Sequence, residues 1–122
     1  MYHSEFYKNV VAVTSRSLCE RPFLEQIERV CACHPKALIL REKDLSEEEY
    51  FLLAKEVLGI CRQYQVSCIL HTYVEAARKL GHPCIHLPLF LLEKYQGKLG
   101  DFQETGCSVH SVEDALKAQQ LG

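Results

Sequence analysis

Apolar residues recur along this chain in two alternating rhythms, a short continuous run followed by a longer stretch spaced at three and four. Asn9-Val-Val-Ala-Val-Thr14 is a β-branched run and predicts a first strand. Pro22 suits the opening turn of a helix, and Phe23, Ile27, Val30 and Cys31 then line one face of it. Ala37-Leu-Ile-Leu40 reads as a strand buried on both faces. Ser46-Glu-Glu-Glu49 forms a capping box with acidic residues at the positive end of a helix, whose body runs from Tyr50 to Tyr64. Val66 to Leu70 is a third strand, Tyr73 to Leu80 a short helix with Gly81 at its C′ position, and Cys84 to Leu87 a fourth strand ended by Pro88. Leu89 to Tyr95 suits a helical turn and Gly97 to Gly100 a loop. A fifth strand is expected around Cys107-Ser-Val-His110, followed by a helix capped by Ser111.

Five successive strand–helix units with short connections imply right-handed crossovers and a parallel sheet. Two α/β architectures share that pattern, an open doubly wound (flavodoxin-like) sheet and a (β/α)8 barrel of about 250 residues. Both carry their chemistry at the C-terminal ends of the strands.

Composition narrows the class. The chain has 122 residues, 48% hydrophobic and 25% charged, which suits one globular domain over 1–122 and excludes a disordered or fibrous chain. Fourteen Lys and Arg against 16 Asp and Glu leave a net charge of −2, which argues against a nucleic-acid surface. No apolar run approaches the roughly 20 residues of a membrane span, and the first residues lack a signal peptide's apolar core. Seven cysteines, an odd number without zinc-finger spacing, fit reduced thiols in the cytoplasm. The expectation is a cytoplasmic protein with no structural metal.

The polar residues just past the strands form the candidate site. Thr14, Ser15 and Arg16 follow the first strand, and Arg41, Glu42, Lys43 and Asp44 the second. Arg-x-Lys at a strand end places two cations on one side, suited to a phosphate or carboxylate. The alternative, equally weighted, is that Arg41 and Lys43 pair with Glu42 and Asp44 on a solvated loop. His71 and Thr72, then His86, then Ser108 and His110 follow at the third, fourth and fifth strands. Three histidines near one edge suit proton transfer near neutral pH, although each alone is more often structural. No nucleophile elbow, dinucleotide fingerprint or P-loop is present.

Two longer motifs carry a resemblance. Leu40-Arg-Glu-Lys-Asp-Leu-Ser46 and Gly106-Cys-Ser-Val-His-Ser-Val-Glu-Asp-Ala115 resemble the second- and fifth-strand signatures of the thiamine phosphate synthases and the related TenI-type thiazole tautomerases. The likeness runs from about Val10 to Gly122. It implies a TIM (β/α)8 barrel, of which about five β/α units are present. It also implies a thiamine-biosynthesis role, either as a transferase joining a pyrimidine diphosphate to a thiazole phosphate with magnesium, or as a metal-free isomerase. Carried over by motif, Arg41, Lys43 and Ser108 bind the phosphate groups, with His71, Thr72 and His86 around them and His110 as the catalytic proton shuttle.

This sequence departs from the synthase pattern at Ile39, at His71-Thr72 in place of Asn-Asp, and at Pro88 to Leu91 in place of Gly-Gln-x-Asp. Both acidic magnesium ligands are thereby replaced. Together with the Leu87-Pro88 ending, this favours the tautomerase branch, with no metal cofactor. Five units of a barrel expose two sheet edges, so the chain is expected to pair with a second copy as a homodimer or to be part of a longer protein. The expected small-molecule partner is a phosphorylated thiazole or pyrimidine, with no nucleic acid and no membrane. The alternative is a non-enzymatic barrel fragment that binds a small phosphorylated ligand or a protein.

Overall fold

The computed structural model describes residues 9–108 and 112–121. Five strands, β1 (Val11–Val13), β2 (Ala37–Leu40), β3 (Ser67–His71), β4 (Cys84–Pro88) and β5 (Glu104–Ser108), form one sheet in the order β1-β2-β3-β4-β5. Every pairing is parallel. The helices between and after them are α1 (Phe23–Ala32), α2 (Glu47–Tyr64), α3 (Val74–Lys79), α4 (Leu89–Lys94) and α5 (Val112–Leu121). A short 3₁₀ turn, Arg16–Leu18, follows β1 and has no counterpart in the apolar pattern.

The sequential strand order decides between the two architectures. Right-handed crossovers that always step the same way leave every helix on the same face of the sheet. A doubly wound sheet needs a reversal of strand order, and none occurs here. The fold is therefore the barrel type, present as five β/α units.

Local signals place the elements. Ser46 Oγ accepts from the Glu49 amide at 3.1 Å while the Glu49 carboxylate accepts from the Ser46 amide at 2.9 Å, closing the capping box of α2. The helix ends at Gln65, whose φ of 58° turns the chain sharply into β3. Gly81 ends the α3 region with φ 65°, as its C′ position requires.

Alternation along the strands sorts residues between two faces. Leu38, Leu40, Leu70, Ile85 and Leu87 are fully buried against Ile27, Cys31, Ala54, Val57 and Cys61 of α1 and α2. The thiols of Cys31 and Cys61 meet there at 3.8 Å, inside the helix–helix contact. The opposite face carries Val13, Ile39 and Ile69 in one row and His71, His86 and Gly106 in the next.

Two boundaries differ from expectation. β3 starts and ends one residue later than Val66 to Leu70, which makes His71 a strand residue. β5 begins at Glu104 rather than near Cys107 because its five residues pair with Cys84 through Pro88. Parallel hydrogen bonding to β4 overrides the weak strand propensity of Glu-Thr-Gly-Cys-Ser. His110 and the expected cap Ser111 lie outside the described residues. Among the described residues, no helix is long and apolar enough to cross a membrane.

Candidate functional site

The C-terminal end of β2 is held from both sides. From the β1 side, the Thr14 hydroxyl donates to Glu42 Oε2 at 2.7 Å and accepts from the Arg41 amide at 3.0 Å. The Arg16 amide donates to both Glu42 oxygens at 3.1 Å. Glu42 is thus a buried carboxylate bonded to the preceding strand end. Arg16 also reaches both acids with its side chain, Nε lying 3.4 Å from Glu42 Oε1 and one terminal nitrogen 2.8 Å from Asp44 Oδ2. Nε makes no well-aligned hydrogen bond, so its contact with Glu42 is chiefly coulombic.

From the other side, two stacked tyrosines grip the backbone, with ring centroids 4.2 Å apart. The fully buried Tyr50 donates to the Leu40 carbonyl at 2.6 Å and accepts from the His71 amide at 2.9 Å, tying β2 to β3. The Tyr73 hydroxyl lies within hydrogen-bond reach of the loop carbonyls of Glu42, Lys43 and Leu45, its single proton shared among them. Thr14, Arg16, Glu42, Tyr50 and Tyr73 therefore build the site. Read as sequence, the two tyrosines fall within helical apolar rows, where nothing distinguishes a hydroxyl that bonds strand ends from a core ring.

These contacts settle the pairing left open at the second strand. Glu42 and Asp44 pair with Arg16, not with their neighbours. Among the described residues, Arg41 and Lys43 have no ion-pair partner, and both side chains are exposed beside the sheet face that carries His71.

The histidine row comes next. The rings of His71 and His86 stack at a centroid distance of 5.2 Å and 23° between planes. His71 Nδ1 lies 2.6 Å from the Thr72 hydroxyl. Thr72 has φ 75°, a left-handed conformation that a β-branched residue adopts only when its surroundings impose it. Its amide donates to the His86 carbonyl at 3.0 Å, which holds it there. On the next strand, a Cβ at Gly106 would stand 2.5 Å from His86 Nδ1. The His86 ring occupies the space that any larger residue at 106 would need.

Burial, the neighbouring His86 and the two cations Arg41 and Lys43 hold the His71 pKa down to about 4. Burial also lowers that of His86. Both rings are neutral at pH 7, so they suit hydrogen bonding and do not add charge to an anion site. Ser108 ends β5 opposite Pro88. His110, the expected proton shuttle, is not among the described residues.

Neither β3 nor β4 is followed directly by a carboxylate. After β3 stands a neutral imidazole bonded to a hydroxyl, and after β4 the chain passes through Pro88 directly into α4. Among the described residues, no three His, Cys, Asp or Glu side chains converge in a way that could hold a metal ion. A hard divalent ion needs carboxylate oxygens that these positions lack.

Fold and strand ends together define part of a (β/α) barrel with exposed cations and neutral imidazoles at the C-terminal edge of its sheet. The family model described as thiamine monophosphate synthase matches residues 10–122, and the chain belongs to that family. It is 31% identical over 117 residues to a thiamine-phosphate synthase of Caldanaerobacter subterraneus, covering 91% of this chain and 53% of that protein. It is 27% identical over 128 residues to a thiamine-phosphate synthase of Clostridium tetani, covering all of this chain and 60% of that protein. A solved thiamine phosphate pyrophosphorylase from Pyrococcus furiosus superposes with a TM-score of 0.79 at 22% identity, over 93% of this chain and 56% of that one. The chain spans a little over half the length of the relatives it matches.

Proposed function

We propose that this chain serves thiamine biosynthesis in the cytoplasm by binding a phosphorylated thiazole, in a metal-free tautomerase-type role rather than as a magnesium-dependent synthase. The observation that carries this reading is the pair of exposed cations, Arg41 and Lys43, without an ion-pair partner among the described residues, beside two neutral stacked imidazoles. Arg41 grips a phosphate or carboxylate bidentately, Lys43 supplies a point charge, and Ser108 completes the anion site from β5. His71, Thr72 and His86 line the ring's seat. A neutral imidazole, assigned by motif to His110, takes a proton from one position of the thiazole and returns it at another, with no net change in protons. The replaced acids after β3 and β4 support this branch over the synthase.

Calorimetry on the 122-residue chain tests the reading. A thiazole phosphate carboxylate is expected to bind equally with and without magnesium, and Arg41→Ala to abolish binding. No binding of that compound, or of a pyrimidine diphosphate, with or without magnesium overturns it. The second reading, a non-enzymatic ligand-binding or partner-binding fragment, is favoured by a span of little more than half the relatives' length. It predicts binding without proton exchange at the thiazole carbon, and observed exchange eliminates it.

A further inference from the structure

We infer that Arg16 is a positioning residue that keeps the anion site cationic by drawing off the two carboxylates that alternate with Arg41 and Lys43. The inference rests on the anion-binding reading of Arg41 and Lys43 given above. In Arg41-Glu-Lys-Asp44, opposite charges are adjacent in sequence, and left to themselves they neutralise one another. Beyond β2 the chain bends into a turn at Lys43 and Asp44, with the Leu45 amide donating to the Glu42 carbonyl at 3.4 Å. Glu42 and Asp44 face the 3₁₀ turn after β1, where one guanidinium meets both, at 3.4 Å and 2.8 Å. Glu42 is doubly secured, because the Thr14 hydroxyl and the Arg16 amide saturate it. Asp44 is not: its side chain is 71% exposed, and the Arg16 guanidinium is its one ion-pair partner among the described residues.

Tyr73 clamps the loop backbone at Glu42, Lys43 and Leu45, so the loop keeps its path when a side-chain partner is lost. Without the guanidinium, Asp44 is a mobile carboxylate next to Lys43. It then competes with an incoming anion for the same cation. Arg16 thus acts on ligand binding without touching ligand, by deciding where a neighbour's negative charge resides.

The experiment measures binding of inorganic diphosphate to the 122-residue chain by calorimetry at low salt. Arg16→Gln is expected to weaken binding about fivefold, the scale of an exposed charge interaction. Arg16→Gln combined with Asp44→Asn is expected to restore it to within about twofold, because the released carboxylate is gone. Arg29→Gln, which makes the same change in net charge on the distant α1 ion pair with Glu25, is expected to have no effect. A merely structural role for Arg16 predicts loss in both Arg16 variants without rescue, and that result overturns the inference. Unchanged binding in Arg16→Gln, with wild-type binding that depends on Arg41, also overturns it and leaves the anion-site reading standing. Absence of wild-type binding overturns both.

Discussion

His71 shows how one side chain joins the site to the stability of the fold. It is 3% exposed, and its pKa falls from the ordinary 6.5 to about 4. The unfolded chain therefore takes up this proton at a higher pH than the folded chain does. The stability that results is fully present above about pH 6.5 and is lost as pH falls toward 4. Between pH 7 and 4.5, urea unfolding of wild type is expected to lose about 2 kcal/mol more than that of His71→Asn. Equal pH dependence of the two proteins contradicts the assigned environment of the ring. Arg41 and Lys43 are legible in sequence as a pair of cations at a strand end. Their freedom from Glu42 and Asp44 is not, because it depends on Arg16, more than 20 residues away and brought close only by parallel pairing of β1 with β2. The low pKa of His71 is likewise invisible until β3 and β4 set the two rings side by side.

At the scale of elements, helices with strong local signals read correctly from sequence. The Ser46–Glu49 box and the apolar stripe of α2 need no tertiary context. β5 does, since its Glu-Thr-Gly-Cys-Ser sequence carries little strand preference and β4 sets its limits. α2 also does more than cover the sheet. Through Tyr50 it bonds the carbonyl of Leu40 and the amide of His71, so it spaces the ends of β2 and β3. Tyr50→Phe keeps the ring and its stack on Tyr73 but leaves two buried backbone groups without a partner. A loss of about 1–3 kcal/mol in urea unfolding followed by circular dichroism is expected. A loss below about 0.5 kcal/mol shows that water or a small rearrangement replaces the hydroxyl.

At the scale of the whole molecule, the sheet is covered on its helix side and open on the other. Val11 and Val13 of β1 are 44% and 55% exposed, and Leu18 beyond them is 82% exposed. A cleft of about 370 Å³ opens beside the same strand, lined by Val13, Leu18, Phe23 and Ile27. An apolar edge strand of this kind invites pairing. We expect the 122-residue chain to run in light scattering as a dimer of its 14.0 kDa mass, and Val13→Lys to return it to a monomer. A folded monomer for the unaltered chain refutes that expectation.

The left-handed turn at Gln65, between α2 and β3, has a consequence for changes of length rather than identity. It sets the phase with which β3 enters the sheet: Leu70 toward the helices, His71 toward the open face. One residue added there, if absorbed as a slip of β3, exchanges the two faces and seats an imidazole in the aliphatic layer. Insertions in the exposed loop around Gly97 and Gly100 meet no such parity. A one-residue insertion is thus expected to be tolerated in the loop around Gly97 and Gly100 and to disrupt the sheet at Gln65.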